Sequence, residues 1–120
     1  MSWAVDFYAE ADGKVPLEDF LNSLSPEARA KVLALLQILK AEGPNLPFPY
    51  SSQVAGKIRE LRTQYGRNKI RILYFADAHR VFVLLHGFIK RSAKLEEPEL
   101  RLAQIRMERH DGRSRKGNKS

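Results

Sequence analysis

The sequence predicts a small α+β domain in which helices cover one face of a mostly antiparallel sheet, in the order β-α-α-β-β-β-α. Three observations carry that expectation. Residues 16–42 hold apolar side chains at helical spacing, residues 57–89 hold alternating or near-continuous apolar runs, and 120 residues suffice for one domain with a modest core. A hydrophobic share of 43% and a charged share of 29% are those of a globular chain. With no cysteine, neither a disulfide, a thiolate metal site nor a cysteine nucleophile is open to it, and packing must supply the stability.

Each element has its own signal. Trp3 to Tyr8 alternates and runs into the turn Ala11-Asp12-Gly13, the pattern of a first strand. Pro16 opens a two-turn helix with the stripe Leu17, Phe20, Leu21, Leu24. Ser25-Pro26-Glu27 supplies an N-cap, an N1 proline and a first-turn acid for a helix carrying Ala28, Val32, Leu33, Leu35, Leu36 and Leu39, which Gly43-Pro44 ends. Prolines 44, 47 and 49 then mark an extended loop to Ser52. Three strands are expected at Lys57–Thr63, Lys69–Phe75 and Arg80–Ile89, joined by Tyr65-Gly66-Arg67-Asn68 and Asp77-Ala78-His79. Pro98-Glu99 begins a last helix with Leu100, Ala103 and Met107 in register. The domain is taken as residues 1–108, with 109–120 a basic, disordered tail.

The charge is local. Residues 1–50 carry 4 basic and 7 acidic side chains, whereas residues 51–95 carry 10 basic and 2 acidic within the net +7. That asymmetry points to a polyanion at one face. Period-two geometry puts Ile70, Ile72 and Tyr74 on one side of the middle strand and Lys69, Arg71, Leu73 and Phe75 on the other, so Arg71 is a charge in an apolar strand. An arginine of the preceding strand is expected opposite it, with Glu60 as a rival ion-pair partner for Arg62 or Arg71. Gly87 permits a bulge or close backbone approach, and Lys90, Arg91 and Lys94 at the strand end are placed to rim a phosphate. Tyr65, Tyr74 and Phe75 interleave with the bases, as stacking platforms or as core. His86 reads as a satisfied half-buried histidine, and His79, His86 and His110 are not spaced for zinc.

Phosphate-loop, dinucleotide, nucleophile-elbow and zincin motifs are missing from the sequence. No apolar run reaches the length of a membrane span and Met1 to Asp6 lacks a signal-peptide pattern, so a cytoplasmic protein is expected.

Gly56-Lys57-Ile58-Arg59-Glu60-Leu61-Arg62, Arg71-Ile72-Leu73-Tyr74-Phe75 and Leu84-Leu85-His86-Gly87-Phe88-Ile89-Lys90-Arg91, in that order and spacing, resemble the HigB-like toxins of the RelE/ParE superfamily. The resemblance spans roughly residues 3–108. It implies a RelE-like fold and the toxin of a type II toxin-antitoxin system: a metal-independent, cofactor-free endoribonuclease that cuts mRNA, usually on the ribosome. Its expected partners are a helix-turn-helix, HigA-like antitoxin and, through that antitoxin only, operator DNA. Carried onto matching positions, it points to Arg62, Arg71 and Lys90 as catalytic, Arg71 stabilising the phosphorane and Arg62 holding a phosphate. Lys90, with Lys57 in reserve, is the proton carrier, because an arginine stays protonated. Arg59, Arg67, Lys69, Arg91 and Lys94 complete the expected RNA-binding set, and no metal site is expected. Arg91 stands where these proteins often carry a second lysine, and the stretch from Lys90 to Pro98 is a little longer than usual. Two other functions remain open, a ParE-like gyrase poison without chemistry and a non-catalytic RNA-binding module.

Overall fold

The computed structural model describes residues 3–94 and 96–117. Along the chain run β1 (Ala4–Phe7), α1 (Pro16–Ser23), α2 (Pro26–Glu42), β2 (Ser51–Ala55), β3 (Ile58–Tyr65), β4 (Asn68–Ala76), β5 (Val81–Lys90) and α3 (Glu97–Gly117). Local chemistry explains most boundaries. Ser25 Oγ accepts the Ala28 N–H at 3.2 Å and Pro26 takes the first position of α2. Gly43 ends that helix at φ +61°, where a Cβ would stand 2.8 Å from the Trp3 indole.

The strands form one sheet in the order β1-β5-β4-β3-β2, with β1 parallel to β5 and the other pairs antiparallel. The sheet thus has a strand beyond those expected from the sequence. β2 (sequence SSQVA) forms an edge by pairing its backbone with β3, Ser51 opposite Leu61 and Gln53 opposite Arg59. It needs little apolar patterning because one flank has no neighbour.

Helices cover both faces, not one. Leu17 and Leu21 of α1 and Val32, Leu35, Leu36 and Leu39 of α2 bury against Leu61, Ile70, Ile72, Tyr74, Phe82 and Leu84. On the second face Ala103, Leu100 and Met107 of α3 pack with Ile58, Leu73, Phe75, Val83 and Leu85. The reason is visible in β4, where Ile70 through Phe75 are all buried, so each face must be covered. Each such Leu, Ile or Phe contributes about 1.5–3 kcal/mol of transfer free energy. A bulge between Leu73 and Tyr74 changes the phase of β5: Leu73 stands opposite His86, but Tyr74 opposite Leu84. Gly87 then faces α1, where a Cβ would lie 2.9 Å from Leu17 Cδ1, so the expected close approach is present.

α3 runs to Gly117, which removes residues 109–117 from the expected disordered tail; residues 118–120 lie outside the described residues. Tertiary contacts hold this polar extension. Arg109 pairs with Glu10 at 3.3 Å, Arg113 donates to the Ala9 carbonyl at 2.8 Å, and the His110 ring meets Phe75 edge-on. Among the described residues, no helix is long and apolar enough to cross a membrane.

Candidate nucleic-acid interface

The second sheet face divides into an apolar part under α3 and a basic end. Strand alternation carries Glu60 and Arg62 of β3, Lys69 and Arg71 of β4, and Phe88 and Lys90 of β5 to that end. Arg62 stands directly opposite Arg71, the expected meeting of two arginines across the strands. Like charges in that position repel, and Glu60 resolves the conflict from two residues away. Its Oε1 accepts from Arg62 Nη1 at 3.2 Å and lies 3.6 Å from Arg71 Nε, too far for a hydrogen bond. The rival partner named from the sequence is therefore present, and it serves both arginines.

The two arginines differ in access. Arg71 is only 7% exposed, its Nη1 donating to the Ile70 and Thr63 carbonyls at 3.0 and 3.3 Å. Burial first, then the Arg62 charge, lowers its pKa, while Glu60 acts in the opposite sense. Arg62 is 31% exposed and lies over the Phe48 ring at 5.2 Å. It also lines an apolar groove of about 430 Å³ with Lys31, Ile38 and Tyr50, between α2 and the chain entering β2.

Next along the strands, Lys69 stands directly opposite Lys90. Arg67, from the tight turn that Gly66 opens at φ +59°, and Arg91, just past β5, join them around a depression of about 270 Å³ that also has Ser92 on its wall. No acidic side chain lines it. Lys90 Nζ donates to the Lys94 carbonyl at 3.3 Å, which closes the loop over the depression, while the Lys94 side chain is not part of the lining. Four of the sequence-derived cations thus converge on one concavity, with Arg62 and Arg71 adjacent on the same face.

Lys57 and Arg59 do not join them. Gly56-Lys57 forms the β2–β3 turn, at the other end of β3 from Arg62's neighbours, and Arg59 projects to the α2 face beside Tyr74. Tyr74 and Phe75 are core, so of the three aromatic candidates Tyr65 alone is exposed. Phe48, 68% exposed beneath Arg62, was missed; its signal was a single aromatic between two prolines. His86 is half-buried and fully engaged. Arg106 can only donate, so its 3.3 Å contact makes Nδ1 the acceptor, and Nε2–H is left to donate to Glu99. Among the described residues no group of His, Asp and Glu side chains is placed to hold a metal ion.

The element order and the two-sided five-stranded sheet are those of a RelE-like α+β protein. The family model described as Phage derived protein Gp49-like (DUF891) matches residues 19–108, well over half of the chain and all of the basic end. The chain belongs to that family, which is of RelE-like, toxin type. No curated protein matches it.

Proposed function

We propose that the protein is the toxin of a type II toxin-antitoxin system and acts as a metal-independent endoribonuclease on mRNA. One observation carries this reading: Arg62, Arg67, Lys69, Lys90 and Arg91 gather at one end of the sheet, where Glu60 is already shared between Arg62 and the buried Arg71. Such an excess of cation is stabilised by an anionic ligand. In the proposed reaction the 2′-hydroxyl gives its proton to water as its oxygen attacks the adjacent phosphorus, and the bond to the 5′-oxygen breaks, giving a 2′,3′-cyclic phosphate and a 5′-hydroxyl. Arg62 and the Arg67–Lys69–Arg91 rim hold phosphates of the strand. Arg71, largely buried, adds a fixed positive charge in a region of low dielectric, where it stabilises the phosphorane. Lys90 gives the leaving 5′-oxygen its proton. Phe48 offers a face for a base beside Arg62. The ribosome presents the message, and a HigA-like antitoxin holds the toxin inactive and links it to operator DNA.

The test is induced expression in a bacterial host, with RNA 5′ ends mapped within minutes for the parent and for Lys90→Ala. New cuts inside translated frames that fall by about 100-fold in the variant are expected. Growth arrest with intact mRNA and broken chromosomes would instead make it a gyrase poison.

A further inference from the structure

Lys57 and Arg59 are left unused by that reaction centre, and the structure gives them a cleft of their own. It has a volume of about 390 Å³ and is lined by Lys57, Arg59, Tyr74, Ala76, Phe82 and Pro44. It lies on the α2 face, whereas the Lys69–Lys90 depression lies at the opposite end of β4. Five residues separate Lys69 from Tyr74, about 17 Å of strand. Two cations and no acid line it.

Its construction is specific. The Ser51 hydroxyl, buried, shares a 2.6 Å hydrogen bond with the Tyr74 hydroxyl and accepts Arg59 Nε at 3.1 Å. One nitrogen is thereby pinned, while both terminal amino groups of Arg59 make no hydrogen bond among the described residues. A guanidinium held in this way has already lost much of its rotamer freedom and keeps its paired donors for a phosphate. The apolar lining is equally fixed: Phe82, buried, is stacked on Trp3 at a centroid distance of 4.5 Å and meets Tyr74 edge-on, and Pro44 and Ala76 supply the exposed apolar surface. An anion alone has no use for that surface; a planar ring carrying a phosphate does.

We infer that this cleft binds a nucleotide, its phosphate on Lys57 and Arg59 and its base against Pro44 and Ala76. The occupant is a free nucleoside monophosphate or one residue of an RNA strand, and the experiment separates the two. Amide shifts of the ¹⁵N-labelled protein are followed during titration with 5′-AMP, with inorganic phosphate and with a single-stranded RNA octamer. AMP should move the amides of Lys57, Arg59, Ala76 and Asn45, and phosphate only those of Lys57 and Arg59. Lys57→Ala, at an exposed turn position, should weaken AMP about tenfold, the loss of one charge-assisted bond. Octamer that displaces AMP from the cleft identifies the strand as occupant; AMP retained beside bound octamer identifies the free nucleotide. AMP that shifts only Lys69 and Lys90, or that binds Lys57→Ala as it binds the parent, overturns the inference. A protein that binds AMP here and cuts no RNA refutes only the proposed function, and one that cuts RNA with no shift in the cleft refutes only this site.

Discussion

Replacing Glu60 by glutamine removes one charge and leaves the shape of the side chain nearly unchanged. Glu60 Oε1 lies 3.2 Å from Arg62 Nη1 and 3.6 Å from Arg71 Nε. At an effective dielectric near 20, each separation corresponds to roughly 5 kcal/mol of gross attraction. Desolvation of the carboxylate and the partial exposure of Arg62 offset most of it, leaving about 3 kcal/mol, the scale for removing one partner of a buried pair. In Glu60→Gln the two arginines face each other unbridged, so the double variant Glu60→Gln/Arg62→Gln should recover about 1 kcal/mol or more of the loss. Urea unfolding at pH 7 reads both changes as shifts in midpoint at constant slope. A midpoint equal to the parent's, or a double variant less stable than Glu60→Gln, would refute the claim that Glu60 neutralises the arginine pair.

The same variant should bind single-stranded RNA more tightly at low salt, because Arg62 no longer has a carboxylate competing with phosphate; unchanged affinity counts against Arg62 as a phosphate contact. Lys90→Ala should lower the slope of log K against log salt by about 1, measured by fluorescence anisotropy, and an unchanged slope removes Lys90 from the interface. Gly87→Ala drives a methyl to within 2.9 Å of Leu17 Cδ1 and should cost about 1–3 kcal/mol in urea unfolding; a smaller loss means that α1 can retreat. Truncation after Glu108 deletes the contacts of Arg109, His110 and Arg113 and should lower the thermal midpoint by several degrees, whereas an unchanged midpoint means that the extension does not dock.

What the sequence revealed followed from short-range rules. The α2 cap at Ser25, the turn at Gly66 and the facing of Ile70, Ile72 and Tyr74 against Arg71 and Leu73 are set by neighbours or by period-two geometry. What it hid depends on distant partners. β2 is held by backbone pairing with β3, so SSQVA carries no apolar alternation. The end of α3 docks through Arg109 on Glu10 and Arg113 on Ala9, contacts that span about a hundred residues of chain. The second helical layer did leave a trace, since six consecutive buried residues in β4 can hardly have an open face. At the site, the arginine pair and Glu60 were legible because strand register brings them together. The separation of Lys57 and Arg59 from Arg62 was legible too, because period-two geometry along β3 puts them on the face opposite Glu60 and Arg62.

The bulge in β5 splices two strands of opposite phase into one. Up to Leu85 the odd-numbered residues look toward α3; from His86 onward the even-numbered ones do. Were the bulge straightened with every residue kept, the frame beyond it would invert: Ile89 would be turned out among the cations and Lys90 driven in against α1. The core and the basic end are thereby made independent clauses of the same strand, joined at a single comma. Drift in one can be absorbed without rewriting the other: loss of Leu85 alone would straighten the strand and leave Phe88 and Lys90 on their present face, whereas loss of a second residue before Lys90 would turn the site over.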